Sequence, residues 1–345
     1  MAGLNDSDIL DLVVTTERKI PRNSIEFQAQ SLQDYVVMGR LIDKKVEVKG
    51  SMGVEETLML KSMNQAQFRG LYDEDKLEVG NLLTKMFVPW KNISNGWVWD
   101  RMEVDRNTGE WLVNNMIKPR RTECEMGIWD KIEEDFFTDA PLLTDKLRPY
   151  NLKYYVVKDT SNTGFYGGAP SGHTEVAGIN PTTYDKFKNY TGHYTNITPD
   201  DLLEAMRLAA YKTNFKSPKF LDSTMKSPGE KNKLIMTTYT VASGLKKLIR
   251  EQNDNLGSDL DAYNGASYFN KIEILPVPQL DVLNVDDVYM INFDTFYPIV
   301  LKDNYMRESD PIQVAGKHTV YTQFIDMTYN LLCKNRRANA VIAKA

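Results

Sequence analysis

A chain containing Glu110 to Asp139, EWLVNNMIKPRRTECEMGIWDKIEEDFFTD, has to accommodate one long helix. Met126, Trp129, Ile132 and Phe136 recur three or four residues apart, which is one face of a 3.6-residue period and the expected core of that helix. Asp130, Lys131, Glu133, Glu134 and Asp135 lie between them and predict a solvated face. Pro119 is expected to kink or restart the helix. Asp139, Ala140 and Pro141 mark its end. Roughly 25 to 30 helical residues at about 1.5 Å each would span some 40 Å, long enough to back other elements.

With 345 residues the chain can hold about two domains on a rough 150-residue prior, each with a real core. No run approaches the ~20 apolar residues of a membrane helix. The first residues, MAGLNDSDILDLVV, lack the basic flank and long apolar core of a secretory signal. Cys124 and Cys333 supply neither a disulfide framework nor a metal site, which suits a reduced interior. The net charge of −5 argues against coating nucleic acid through a basic tail. Lys334, Arg336, Arg337 and Lys344 read as a solvated turn.

Residues 1–30 have the texture of an arm, followed by a helix capped by Ser31. From Val46 to about Asn107 the pattern turns to strand. Asn95-Gly96 predicts a tight turn between two aromatic runs. Three of the five tryptophans, Trp90, Trp97 and Trp99, fall there, on either a core strand pair or a contact surface for another chain. The polar, glycine-punctuated MNQAQFRGLYDEDKLEVG reads as an excursion away from the body.

Thr198-Pro199-Asp200-Asp201 opens a helix with Leu202, Leu203, Met206, Ala209 and Ala210 buried. A strand–helix–strand unit follows: Lys233–Thr238, a helix through Val241, Leu245, Leu248 and Ile249, then Lys271–Leu275. Last come DVYMINF, FYPIVL and a long strand with Tyr321, Ile325, Met327, Tyr329, Leu331 and Cys333 on one face. Its other face carries Thr322, Asp326, Thr328 and Asn330, so a largely antiparallel sheet should pack on the long helix.

Chemistry is thinly represented. His173, His193 and His318 have no nucleophile, zinc partner or acid at a useful spacing. GFYGGAPSGH lacks the Gly-Lys-Ser/Thr of a phosphate loop and reads as a tight surface loop. Asp259 and Asp261 begin a calcium-like loop, but Tyr263 and Asn264 stand where an acid and a glycine belong, so these aspartates cap a turn. No catalytic, cofactor-binding or metal residue is assigned, and an enzyme is not expected.

At AMRLAAYKTNF, EQNDNLGSDLDAYNG and FNKIEILPVPQLD the chain resembles the major capsid proteins of tailed bacteriophages, with the Hong Kong 97-like fold. NYMRESDP, the closing HTVYTQFIDMTYNLLCKNRRANAVIAK and the earlier FVPWKNISNGWVWDRMEV are similar to strand segments of the same family. The resemblance implies an α+β fold: an N-terminal arm (1–45), an extended β loop (46–90), a peripheral domain (91–197 and 286–345) with a spine helix at about 110–139, and an axial α/β domain (198–285). It implies inter-subunit contact at Arg69, Tyr72, Lys76, Trp90 and Trp97.

The resemblance further implies a homo-oligomer of pentamers and hexamers forming an icosahedral shell. Such a shell, built in the host cytoplasm and carried in the virion, encloses double-stranded DNA with weak non-specific contact. Scaffolding, portal and decoration proteins are the expected partners, with no membrane and no cofactor. An encapsulin-like compartment around cargo enzymes is the alternative on the same fold. A soluble carbohydrate- or nucleotide-handling enzyme, with the aromatic ribbon as its binding face, is a third.

Overall fold

The computed structural model describes residues 37, 39, 41, 44–60, 68, 83–106, 117–213, 233–251, 260–263, 266–270 and 272–345. Ser31 and Asp259 lie outside them, whereas Asp261, expected to cap a turn, stands in a strand and pairs with Tyr268.

The described strands begin with β1 (Val46–Val48), β2 (Gly53–Met59), β3 (Leu83–Pro89) and β4 (Lys91–Asp100), followed by the short α1 (Arg101–Arg106) and the long α2 (Ile117–Phe137). α3 (Leu152–Tyr155), β5 (Gly164–Gly167), β6 (Asn189–Tyr194) and α4 (Glu204–Lys212) follow. Next come β7 (Lys233–Thr237), α5 (Tyr239–Glu251), β8 (Leu260–Tyr263), β9 (Ala266–Phe269), β10 (Ile272–Pro276) and α6 (Pro278–Val282). The last strands are β11 (Val288–Asn292), β12 (Phe296–Leu301), β13 (Arg307–Glu308), β14 (Ile312–Gln313), β15 (Val320–Cys333) and β16 (Ala340–Lys344).

The fourteen-residue β15 organises a six-stranded sheet. It pairs antiparallel with β4 over ten residues, from Val320–Asp100 to Tyr329–Lys91, and with β12, β13 and β14. Asn95-Gly96 therefore makes no turn, and β4 runs straight through it. Cross-strand pairing outweighs the local preference of the dipeptide. Gly96 is needed for another reason: a Cβ there would stand 2.7 Å from the Phe324 ring.

α2 lies on this sheet, as the alternation in β15 predicts. Cys124, Ile128 and Ile132 pack with Trp97, Val300, Ile325, Met327 and Tyr329. The helix face is rotated from the expected one. Ile132 and Phe136 are buried, whereas Met126 and Trp129 are half-buried and Ile128 takes the central place. Pro119 stands in the first described turn of α2, Ile117–Phe137, and the helix is continuous from there to Phe137.

Two members of the expected solvated face are buried, Glu133 and Asp135. Glu133 accepts the backbone N–H of Val37 at 3.1 Å, so an N-terminal segment covers it. Asp135 accepts from Arg148 at 2.7 Å, while its second oxygen has no partner among the described residues. Burial pushes the Asp135 carboxyl above the usual aspartate range, against the opposing pull of Arg148. A raised carboxyl stabilises most at low pH, and that stability is lost as pH rises through the folded value. Asp135→Asn should therefore be no less stable than the parent at neutral pH and should flatten the fall in melting temperature from about pH 4 upward. Arg148 keeps the Thr138 hydroxyl and the Asp139 carbonyl in the variant. Thermal melts across that pH range check both.

The second sheet has eight strands in the order β5-β6-β16-β11-β7-β10-β9-β8. The parallel pair β7 and β10 flanks the crossover helix α5, the strand–helix–strand unit expected from sequence. Alternate residues explain how the sheet serves two cores. Leu234 and Met236 join Phe136, Phe137, Tyr289 and Val341 between the sheets. Ile235 faces Leu202, Met206, Val241 and Leu245 under α4 and α5. The helix start at Thr198 differs from expectation: its hydroxyl caps nothing, and the Asp201 carboxylate instead accepts the N–H groups of Thr195 and Asn196.

β5, β6, β11 and β16, placed by sequence with the long helix, pair in the sheet of β7. β1, placed in the extended loop, pairs parallel with β12 in the six-stranded sheet.

The basic cluster near residue 336 is not a solvated turn. Arg336 is wholly buried. Its Nε donates to Tyr155 O (2.6 Å), Nη1 to Phe187 O (2.9 Å), and Nη2 to Gly168 O (2.6 Å), Gly167 O and Asn189 Oδ1 (both 3.2 Å). Desolvation pulls the guanidinium down to about 10, which leaves it charged at neutral pH. Arg337 stacks over Phe165, Lys334 pairs with Glu56, and Lys344 with Asp286 at 2.6 Å.

Candidate assembly surface

β2 and β3 form a two-stranded antiparallel ribbon separate from both sheets. Its near end is sewn to the body. The Phe87 N–H donates to Ala177 O at 2.9 Å, and Met86 and Val88 enter the inter-sheet core. Gly53 closes the register because a Cβ there would lie 2.6 Å from the Phe87 ring and from Val88 O. Strand alternation puts Glu55, Thr57 and Met59 on the other face, opposite Phe87, Lys85 and Leu83. Lys85 and Glu55 pair at 3.0 Å, and the distal Met59–Leu83 pair is exposed at 65% and 59%. A ribbon with one docked face and one free apolar end is suited to meeting another chain.

The expected contact residues divide. Arg69, Tyr72 and Lys76, with most of the excursion between β2 and β3, lie outside the described residues. Trp90 is half-buried against the inter-sheet core. Trp97 is only 6% exposed and packs under α2, so it belongs to the core and is not available as a contact. A tryptophan in a period-two strand that faces a long helix is the signal that separates these two cases. Trp99 stacks on Tyr321 with ring centroids 4.9 Å apart.

The indole N–H groups of Trp90, Trp97 and Trp99 are buried without an acceptor among the described residues. Trp97→Phe, which removes the unpaired donor, should thus change stability by no more than about 1 kcal/mol, whereas Trp97→Ala should cost ~3–5 kcal/mol. Urea unfolding of the two variants distinguishes them.

The reactive side-chain types are occupied structurally. His173 Nε2 bonds to Pro141 O at 2.8 Å and His193 Nδ1 to the Thr163 hydroxyl at 3.2 Å. Burial raises the Cys124 thiol to about 11 and the Cys333 thiol to about 12, so both are protonated and unreactive near neutrality. Among the described residues no His, Cys, Asp and Glu side chains group as a metal site, and no helix is long and apolar enough to cross a membrane.

No protein-family model and no curated protein sequence matches the chain. Solved structures do. A chain of the Cyanophage A-1(L) capsid asymmetric unit superposes with a TM-score of 0.63 at 12% identity, covering 94% of this chain and 96% of that one. The Hong Kong 97-like capsid fold is the fold of this chain. A native GTA particle capsid gives 0.54 at 8% identity over 95% of this chain and 96% of that one. The holo encapsulin complex of Synechococcus elongatus PCC 7942 gives 0.51 at 9% over 99% and 96%. The Hong Kong 97-like fold is thus shared across a cyanophage capsid, a GTA particle and an encapsulin at identities too low for individual residues to carry the likeness.

Proposed function

We propose that this chain is a major capsid protein: it self-assembles, as pentamers and hexamers, into the icosahedral shell around the double-stranded DNA of a tailed phage. Full-length likeness to a capsid asymmetric unit is the observation that carries this reading. The ribbon β2–β3 is then the base of the extended loop, α2 the spine helix, and the eight-stranded sheet with α4 and α5 the core of the axial domain. Arg69, Tyr72, Lys76 and Trp90 are the candidate contacts with a neighbouring copy. A net charge of −5 suits a shell that holds its DNA weakly, since each phosphate contact adds salt-dependent affinity. Scaffolding, portal and decoration proteins would act with it, and its role is structural, without a catalytic centre.

The encapsulin likeness supports a second reading, a compartment around cargo proteins. Negative-stain microscopy of the expressed protein, followed by nuclease treatment and extraction of the contents, separates the two. Shells with nuclease-protected DNA in an infected or induced host support the capsid. Shells holding a co-purifying enzyme support the compartment. A stable monomer at high concentration rejects both.

A further inference from the structure

Between α2 and α3 the chain makes a loop, residues 140–149, that presents Leu142, Leu143 and Leu147 to solvent at 65%, 70% and 84% exposure. The loop beneath these exposed apolar tips is held at several points. The Asp145 N–H donates to Leu142 O at 2.9 Å, and the Asp145 carboxylate accepts from the N–H groups of Leu147 (3.1 Å) and Arg148 (3.3 Å). Lys91 donates to Lys146 O, and the His173 ring holds Pro141 O. Arg148 ties the loop to Asp135, Thr138 and Asp139 of the α2 end. Asn151 donates to the carbonyls of Asp135, Thr138 and Asp139, capping the helix in place of a glycine. The leucines therefore project from a frame whose nearby backbone groups are satisfied internally.

We propose that this loop is a preformed knob by which one copy of the chain seats on the next in the shell, an inference that rests on the shell reading above. Rigidity lowers the ordering cost of contact, and the satisfied backbone leaves side-chain burial as the means of binding. Size selects the occupant. Three leucines at these exposures offer on the order of 400 Å² of apolar surface, the scale of a functional patch on a monomer. A stable one-to-one complex needs about 800 Å² per partner, so the knob alone would not hold a separate protein. In a closed lattice the same small contact recurs at every symmetry-related position and adds to others on the chain.

The test uses the full-length chain with Leu142→Glu and Leu147→Glu, singly and together, and Leu143→Ala as a milder change. All three side chains are exposed, so circular dichroism and melting should match the parent. Shell yield by sedimentation and microscopy should fall at least about tenfold for the double variant and less for Leu143→Ala. Normal shells from the folded double variant would overturn the knob while leaving the shell reading intact. Parent protein that forms no shells would instead defeat the reading beneath it. Normal shells that no longer accept an added scaffolding or decoration protein would also overturn it, because the occupant would then be another protein.

Discussion

Arg336→Met is expected to leave almost no soluble, folded subunit. The substitution keeps the volume of the side-chain stem but removes every donor from a site with five acceptors: the carbonyls of Tyr155, Phe187, Gly167 and Gly168 and the Asn189 amide oxygen. The Asn189 oxygen keeps the Val157 N–H, but each of the four carbonyls stranded away from water costs ~1–3 kcal/mol, so even with relaxation a loss of about 5 kcal/mol is expected. That equals the whole stability of many domains. Arg336→Lys is the informative companion. An ammonium offers three donors on a point and cannot reach acceptors spread around a planar fork, so it should recover less than half of the loss. Soluble yield at low temperature and urea midpoints measure both. A methionine variant that melts like the parent would show that water can enter and replace the guanidinium.

The second large effect concerns assembly. Removing Ser62 to Glu78 and closing the gap with a short Gly-Ser turn should give a subunit that folds and forms no shells. Folding should survive because Met59 and Leu83 are directly paired across the ribbon. Paired residues stand about 4.5–5.5 Å apart, which a short turn spans. The anchoring contacts, Phe87 to Ala177 and Met86 and Val88 in the core, lie at the opposite end. A melting temperature close to the parent's, with the shell peak gone from sedimentation, is the expected pair of results. Shells of normal size would show that the excursion is not needed for contact between copies.

Long periodic elements were the legible part of this fold. The apolar spacing in residues 126–136 and the alternation in residues 321–333 each predict an element, and the two meet as expected, although the helix turns Cys124 and Ile128 to the sheet in place of Met126 and Trp129. What escaped was set by partners far along the chain. The acceptors of Arg336 lie 147 to 181 residues away, so no local pattern marks it; the one hint is a basic turn enclosed by apolar NLLC and ANAVIA. Glu133 and Asp135 have ordinary surface spacing, and their burial follows from Val37 and Arg148 covering them. Asn95-Gly96 has the composition of a turn but the register of a strand, and only the ten-residue pairing with β15 decides between them. The partition of strands had a readable signal. Every residue of β11 is buried, the mark of a strand central to a sheet covered on both sides rather than one with a wet face.

The position of β16 also governs the order in which the protein can be built. It lies between β6, to which it is parallel, and β11, yet it is translated after every other strand described. Until residues 340–344 leave the ribosome the eight-stranded sheet is two separate pieces, and the strands β6 and β11 that will flank the gap, almost entirely buried in the finished sheet, have unpaired edges. Such edges invite pairing with other chains at high concentration. Folding is therefore dominated by contacts across long stretches of sequence and is intrinsically slow. A nascent chain therefore cannot present the finished eight-stranded sheet before β16 has been made, so the moment the two pieces join is set by the synthesis of that strand.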